Sequence, residues 1–309
     1  MQYGSCDCRI KSCKCENEEE DQSEDEMKMM EECTNNLMEM MENEAATDND
    51  MEEVIENNQQ KDECKADKEK YCDSAYDKDG NKHTLCAYCG IDTTKCKTIE
   101  ERIVDDKDDQ QKLVDLHNNF RRIVAKGLEK RGGGQPIAVN MNELIWDDDL
   151  AYVAQRWADQ CSDGHDRSRL IDGHTEFPFV GQNVAYIITT SSGQSKANRK
   201  YDKLVKAWYD EVVDFPKSSV SAFNSKSPSG RPIGHYTALV WGETTKVGCG
   251  YMVHSDRNNG LTTRKETLVC NYAAGGNVID HPVYKTGKKV GSECQFGHND
   301  GLCRPEKKN

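Results

Sequence analysis

The sequence predicts an α+β domain braced by disulfides, and three kinds of pattern support this. Apolar residues recur at three- and four-residue intervals in three segments, which is typical of amphipathic helices. Nearer the carboxyl end, β-branched and aromatic residues form short apolar runs separated by turn residues, as in strands. The 309 residues also include 15 cysteines, more than a reduced cytosolic protein of this size usually carries. We therefore expect helices packed on an antiparallel sheet, in an oxidising compartment.

The strands are predicted around one long run, residues 234–251. Its first part, Gly-His-Tyr-Thr-Ala-Leu-Val-Trp, alternates in character and is interpreted as a buried strand that begins near His235. A second strand follows from Val247, and a third covers residues 268–272, after the turn-rich segment 256–260. Cys249 and Cys270 face each other across this turn, which predicts an antiparallel hairpin stapled at its base.

The three helices are predicted from their apolar spacing and from the residues at their ends. The first carries apolar residues from Leu113 to Leu128, follows an Asp-Asp pair and is predicted to end at the glycines 132–134. The second begins after Trp146, where three aspartates can cap it, and ends at Cys161. The third has these residues on its buried side and Glu211 near its end: Tyr201, Leu204, Val205, Trp208 and Val212. His117, on the first helix, is expected to be hydrogen-bonded locally rather than to bind a ligand.

The charge of the chain is concentrated at the amino terminus. Residues 1–70 contain 23 Asp and Glu against 8 Lys and Arg, a net charge of −15, and the whole chain carries −14. This segment has almost no aromatic residues, and we predict a largely disordered or partly helical acidic extension. The nearly neutral remainder offers no basic face for nucleic acid, and no apolar run is long enough to span a membrane.

Several cysteines have no partner that spacing alone can name. The pairs Cys6-x-Cys8 and Cys13-x-Cys15 fit either a soft metal ion held by thiolates or disulfides within an extracellular tail, and disulfides are favoured. Cys86-x-x-Cys89 lacks the companion pair of a zinc site and the following helix of a redox site, so a structural disulfide is favoured there too. The pairing of these seven stays open: Cys6, Cys8, Cys13, Cys15, Cys33, Cys64 and Cys89.

Three motifs resemble the CAP superfamily of cysteine-rich secretory proteins, antigen-five venom allergens and plant pathogenesis-related proteins. They are Gly-His-Tyr-Thr-x-x-Val-Trp-x-x-Thr-x-x-Val-Gly-Cys-Gly from residue 234, Val-Cys-Asn-Tyr-x-x-x-Gly-Asn from residue 269, and Gly-Gln-Asn-Val-Ala from residue 181. The resemblance implies a three-layer α-β-α sandwich over about residues 71–280. It divides the chain into the acidic extension 1–70, a cysteine-rich lead-in 71–104, the CAP domain 105–280 and a short hinge-like tail 281–309.

The resemblance also implies disulfides. The antigen-five branch would pair Cys72 with Cys86 and Cys96 with Cys161, and Cys249, Cys270, Cys294 and Cys303 are further disulfide cysteines. Two more cysteines of that branch would fall near Tyr76 and Ser168. Both are missing here, as expected if one disulfide has been lost.

Four side chains are placed in one cleft by the resemblance: His165, Gln182, Glu211 and His235. Two imidazoles and a carboxylate are a plausible set for a divalent cation such as zinc, with water completing the shell, so His165, Glu211 and His235 are the candidate metal ligands. Relatives often have glutamate at the position of Gln182, and the neutral amide should weaken cation binding. A hydrogen-bonded network that joins helix to sheet is an equally good interpretation.

Catalysis is not expected, because no nucleophile accompanies these residues and no Gly-x-Ser-x-Gly or His-Glu-x-x-His motif occurs. No cofactor is required. The resemblance implies a secreted, extracellular, antigen-five-like protein that binds a small lipid or sterol, or an extracellular or host protein. Residues 186–188, beside the flexible residues 191–193, could line a lipid opening. The alternative is a metal-dependent hydrolase or protease that uses His165, Glu211 and His235.

Overall fold

The structure is a computed structural model that describes residues 61–72, 82–102, 106–171, 179–191, 199–258 and 260–306, together with the backbone of two short strands near the amino terminus. The chain divides into two units, residues 1–63 and residues 64–309. The acidic segment 16–60, Tyr76 and residues 192–198 lie outside the described residues.

The first unit contains a small antiparallel hairpin. Its strands are β1 (Cys6–Arg9) and β2 (Ser12–Cys15), and Cys6 lies opposite Cys15 in the register.

The second unit is built from helices on both sides of a sheet. A helix over residues 61–71, α1, leads into it. The other helices are α2 (Thr84–Ala87), α3 (Lys107–Ala125), α4 (Asp148–Ala158), α5 (Tyr201–Asp210) and α6 (Gly234–Leu239), and 3₁₀ turns cover Glu211–Asp214 and Lys217–Ser219. The strands are β3 (Thr98–Arg102), β4 (Ile145–Trp146), β5 (Gly181–Ser191), β6 (Lys246–Asn258), β7 (Leu261–Ala273), β8 (His298–Asn299) and β9 (Leu302–Cys303).

The main sheet has the order β3-β6-β7-β5, with β4 pairing parallel to β6. The long antiparallel hairpin β6–β7 is the predicted one, and Cys249 lies opposite Cys270 in its register and is bonded to it. Strand β5 pairs with β7 along its whole length and lies at the edge of the sheet in the described part of the chain. This edge is where the candidate site is found.

The two faces of the sheet are covered by different helices, which confirms the three-layer sandwich. On one face α4 packs against Met252 and Val269. On the other face the helices α3, α5 and α6 enclose the main core. Gly248 and Gly250 allow α4 to lie directly on β6, because a Cβ at Gly250 would come within 2.3 Å of the Gln155 backbone.

The segment 234–241 is a helix followed by a turn, so the predicted strand was wrong. Both ends of α6 are held by charged side chains from elsewhere in the chain. The Glu211 carboxylate accepts from the backbone N–H groups of His235 (2.9 Å) and Tyr236 (3.1 Å). At the other end, the buried Arg121 guanidinium donates to the carbonyl of Leu239 at 2.9 Å. A negative charge at the amino end and a positive charge at the carboxyl end of a helix are both stabilising.

The ends of α3 and α4 show which local signals were reliable. Asp147 caps α4 as predicted, since its side chain accepts from the Leu150 N–H at 3.0 Å. Helix α3 ends at Ala125, earlier than predicted, because Gly127 takes a positive φ of 68° and turns the chain. Leu128, counted as part of the helix, is 57% exposed.

The lead-in is attached to the domain by more than the expected bonds. The disulfides Cys72–Cys86 and Cys96–Cys161 are present, and Cys64 pairs with Cys89. The structural role expected for Cys86-x-x-Cys89 is therefore confirmed, with a separate partner for each cysteine.

Helix α1 also packs on the domain through charge. Asp67 forms a buried ion pair with Arg156 on α4 at 3.0 Å. The predicted boundary at residue 70 is crossed by α1, and the compact unit begins at Cys64.

The carboxyl-terminal segment packs on the domain instead of forming a separate hinge. Val283, Tyr284 and Leu302 belong to the main core. Cys294 pairs with Cys303, and Cys303 forms a bridge with Asn142. The boundary predicted at residue 280 therefore does not separate two bodies.

Within the described residues, no helix is both long enough and apolar enough to cross a membrane.

Candidate functional site

The four predicted site residues meet as two pairs at the start of the edge strand β5. His165 lies in the loop after α4 and contacts Gln182, the second residue of β5. Glu211 lies at the end of α5 and contacts His235, the second residue of α6. Because side chains alternate along β5, Gln182 faces the layer of α4, and its neighbour Asn183 faces the layer of α5 and α6. The two pairs therefore lie on opposite faces of the sheet, beside the start of its edge strand.

The first pair is oriented by a chain of hydrogen bonds that begins at a backbone carbonyl. The Leu150 carbonyl can only accept, so Asn271 presents its Nδ2 to it at 3.2 Å and turns its Oδ1 toward Gln182. Gln182 donates Nε2 to that Oδ1 at 3.0 Å, which leaves its Oε1 to accept from His165 Nδ1 at 2.9 Å. His165 thus carries its proton on Nδ1 and a lone pair on Nε2. Gln182 acts as a positioning residue and not as a ligand.

The second pair reaches the same tautomer through a carboxylate. Glu211 Oε1 accepts from His235 Nδ1 at 2.7 Å, while Oε2 accepts the two backbone N–H groups at the start of α6. The Trp208 ring stacks on the other side, with ring centroids 6.4 Å apart and planes at 21°. His235 is therefore fixed by charge, backbone and ring contact together. Its lone pair also lies on Nε2.

The pKa of His165 is lowered below its ordinary value, chiefly because its ring is partly removed from water. The neighbouring Arg169 and His235 lower the pKa further, and the hydrogen bond to Gln182 and the charge of Asp166 oppose them. The influence of His235 indicates that the two imidazoles lie in one electrostatic environment. Neutral His165 is the form that can bind a metal ion.

Neither Nε2 atom accepts a hydrogen bond from the described residues. Both lone pairs are therefore unused within the described part of the chain. Within the described ranges, however, no three His, Cys, Asp or Glu side chains converge as a metal-holding group. What the structure assembles is two oriented imidazoles, with Glu211 behind one of them.

Sequence reasoning missed the residues that hold these pairs. Asn271 orients Gln182, and Asn183 donates Nδ2 to the His235 carbonyl at 3.0 Å. Both asparagines belong to motifs already noted, at residues 181–185 and 269–277. The two asparagines were therefore visible as motif residues. Only the strand pairing of Gln182 with Asn271 shows that they orient the site.

His117 does not belong to the site. It is fully buried, donates Nδ1 to the Leu113 carbonyl at 2.7 Å and accepts from the Tyr272 hydroxyl at 2.9 Å. The predicted local role is thus confirmed, with one tertiary contact added. Burial lowers its pKa to about 4.

The segment proposed to line a lipid opening lies within strand β5. Tyr186 and Ile188 are 47% and 56% exposed, whereas Ile187 packs against the main core. The exposed pair extends along the edge strand, away from the two histidines. Its continuation into residues 192–198 lies outside the described residues.

Comparison with known proteins agrees with this fold and with the motifs. Residues 114–272 match the model of the CAP, cysteine-rich secretory protein family. Venom allergen 5.02 of Dolichovespula maculata is 42% identical over 213 residues, which cover 66% of this chain and 89% of that protein. Venom allergen 3 of Solenopsis invicta is 40% identical over 209 residues, covering 67% and 84%.

Two solved structures are also similar. BmVAL-1 is 27% identical, with a TM-score of 0.49 over 64% of this chain and 94% of that one. The structure of NaASP2 with Zn²⁺ is 26% identical, with a TM-score of 0.47 over 64% and 96%. On the family match and the sequence relatives, the chain belongs to the cysteine-rich secretory protein (CAP) family and is similar to insect venom allergens.

Proposed function

We propose that this chain is a secreted, non-enzymatic binding protein and that its cleft takes a divalent cation such as zinc between His165 and His235. The observation that carries the proposal is the matched tautomer of the two rings. Each Nδ1 is held by a partner within the protein, and each Nε2 is left with an open lone pair. Orientation through the far ring nitrogen is the usual preparation of a histidine for metal binding.

Two protein ligands, with water completing the shell, support weak and pH-dependent binding. Structural zinc sites use four protein ligands and catalytic sites usually three. The carboxylate of Glu211 supports the site from behind by holding the His235 ring in one orientation. We expect an affinity well below that of a structural zinc site.

Calorimetric titration with Zn²⁺ tests this proposal. Binding at neutral pH should disappear at mildly acidic pH, because protonated imidazole has no lone pair for a metal. The double variant His165→Ala and His235→Ala should not bind, while His281→Ala, an exposed histidine outside the cleft, should bind like the original protein. Equal binding by the double variant would show that zinc is held elsewhere.

The non-enzymatic part of the proposal rests on the surroundings of the two rings. The described residues offer neither imidazole a serine, threonine or cysteine at hydrogen-bonding distance, so a covalent mechanism lacks its nucleophile. Both carboxylate oxygens of Glu211 are already engaged. A metal-dependent hydrolase is the competing function. Turnover lost in both Glu211→Gln and His235→Ala, but retained in His281→Ala, would establish it.

A second candidate function is binding of a small lipid or sterol, which the exposure of Tyr186 and Ile188 favours. Two large apolar side chains on the same face of an edge strand can cover an acyl chain or a ring system. Protein purified from secreting cells should then yield a lipid on extraction and mass spectrometry. The variant with Tyr186→Ser and Ile188→Ser should lose that lipid, and Leu128→Ser, an exposed apolar residue elsewhere, should keep it. Absence of lipid from the original protein would leave an extracellular partner protein as the better ligand class.

A further inference from the structure

The amino-terminal hairpin brings four cysteines together in register. Cys6 lies opposite Cys15 and Cys8 lies opposite Cys13. Residues two apart share a face of a strand, so all four cysteines lie on one face of the hairpin. The opposite face carries the register pairs of Asp7 with Lys14 and of Arg9 with Ser12. This placement does not follow from the two Cys-x-Cys spacings alone, which leave the register undefined.

The register also determines which kind of pair the cysteines form. Arg9 and Ser12 are separated by two residues, and the pair that closes a two-residue hairpin exchanges backbone hydrogen bonds. Hydrogen-bonded and non-hydrogen-bonded pairs alternate along an antiparallel ladder. Both cysteine pairs are therefore non-hydrogen-bonded pairs, whose Cα atoms lie about 4.5 Å apart, within the range of a disulfide.

The second unit contains the same arrangement in its bonded form. Cys249 and Cys270 lie opposite each other on β6 and β7, and they form a disulfide with a Cα–Cα distance of 4.1 Å. Five disulfides in all are present in this unit. The chain is therefore one in which opposed cysteines are oxidised.

We propose that Cys6–Cys15 and Cys8–Cys13 are two stacked cross-strand disulfides that lock the amino-terminal hairpin. Each disulfide forms when two thiols lose two protons and two electrons, and the electrons reduce the disulfide of an oxidised dithiol protein or of glutathione disulfide. An isolated two-stranded hairpin is marginal in water, and the two bonds remove its alternatives to the paired state.

With these two disulfides, every cysteine of the chain except one has a partner. The five disulfides use ten of the 15 cysteines and the hairpin uses four, which leaves Cys33. A four-thiolate site for a soft metal ion would require the same four cysteines to stay reduced, in a chain whose other unit is oxidised. The two states differ in mass, thiol content and metal content.

Mapping the disulfides of the full secreted chain under non-reducing conditions tests the proposal. Trypsin can cut after Arg9, Lys11 and Lys14, and a protease that cuts before aspartate can separate Cys6 from Cys8. With the two proposed disulfides, residues 1–6 should be joined to the peptide that begins at Cys15, and residues 7–9 should be joined to residues 12–14. Residues 1–6 joined to residues 12–14, or a Cys6–Cys8 loop, would overturn the proposal.

Alkylation of the native chain gives an independent result. The four hairpin cysteines should stay unmodified without reductant and should react after reduction. In Cys8→Ser, Cys13 should become reactive while Cys6 and Cys15 stay protected, and Cys6→Ser should expose Cys15 alone. Four reactive hairpin thiols in the original protein would contradict the two disulfides and support a thiolate metal site. One equivalent of zinc or copper released by chelator from the double variant His165→Ala and His235→Ala, which lacks the cleft ligands, would do the same.

Discussion

Two pairs of histidines in the second unit use the same side chain in opposite ways. We call His83 and His117 the sealed pair, and His165 and His235 the open pair. In the sealed pair both ring nitrogens are bonded inside the protein. His83 accepts from the Leu85 N–H at 3.2 Å and contacts the Leu170 carbonyl at 2.7 Å. In the open pair one nitrogen is bonded, and the other has no partner among the described residues. A histidine with both nitrogens satisfied stabilises the fold, whereas one with a spare nitrogen is available to a ligand.

The largest expected effect is on stability and should separate the two groups. His117→Ala removes a fully buried ring and both its hydrogen bonds, and should lower the free energy of unfolding by about 3 kcal/mol. His165→Ala, on an exposed loop, should cost about 0.5 kcal/mol or less. Denaturant unfolding with the disulfides intact measures both. Equal losses would break the distinction between sealed and open histidines.

The next effect is a loss of stability in acid caused by the sealed pair. Burial lowers the pKa of both His83 and His117 to about 4, against 6.5 for an ordinary histidine. The unfolded chain therefore binds more protons than the folded one between these values. Stability should fall as the pH drops from about 6.5 to about 4 and level off below, by up to about 3 kcal/mol per histidine.

Carboxylates also lose stabilising contacts in acid. The contribution of His117 is therefore tested by comparing the original protein with the variant His117→Ala. Between pH 6.5 and 4 the unfolding free energy of His117→Ala should change less steeply than that of the original protein. His165→Ala serves as the matched control on the open side. Parallel curves for the original protein and His117→Ala would show that this ring is not the proton acceptor.

The smallest expected effect is on zinc affinity. It concerns the residues that orient the open histidines, the charged Glu211 and the neutral Gln182. Glu211→Gln should weaken zinc binding by about 10- to 100-fold, because the ring of His235 loses the carboxylate that orients it. Gln182→Glu should strengthen binding by about 10-fold by supplying the same support to His165. Titration at pH 7.5 measures both. Affinities that do not move in opposite directions would mean that the two rings do not share one ion.

Local signals in the sequence were sufficient for much of the fold. The hairpin with Cys249 and Cys270 followed from two apolar runs around a turn, and the start of α4 followed from its aspartate cap. The end of α3 is also determined locally, by Gly127. The sequence prediction placed this end at the glycines 132–134 instead. These elements depend on residues close to one another in the chain.

The helix α6 could not be predicted in the same way. Its alternating character favoured a strand over only eight residues, too short to separate the two periodicities. What makes it helical lies far away, in the Glu211 carboxylate and the Arg121 guanidinium. The site shares this property, because the orientation of His165 depends on Asn271, more than a hundred residues later.

The capping of α6 by Glu211 should also be visible in the rate at which amide protons exchange with water. The first N–H groups of a helix have no acceptor within the helix, so they normally exchange early. Those of His235 and Tyr236 are bonded to a carboxylate at 2.9 and 3.1 Å. Slow exchange at these two amides in the free protein, lost in Glu211→Ala, would show that the cleft is rigid before any ligand arrives.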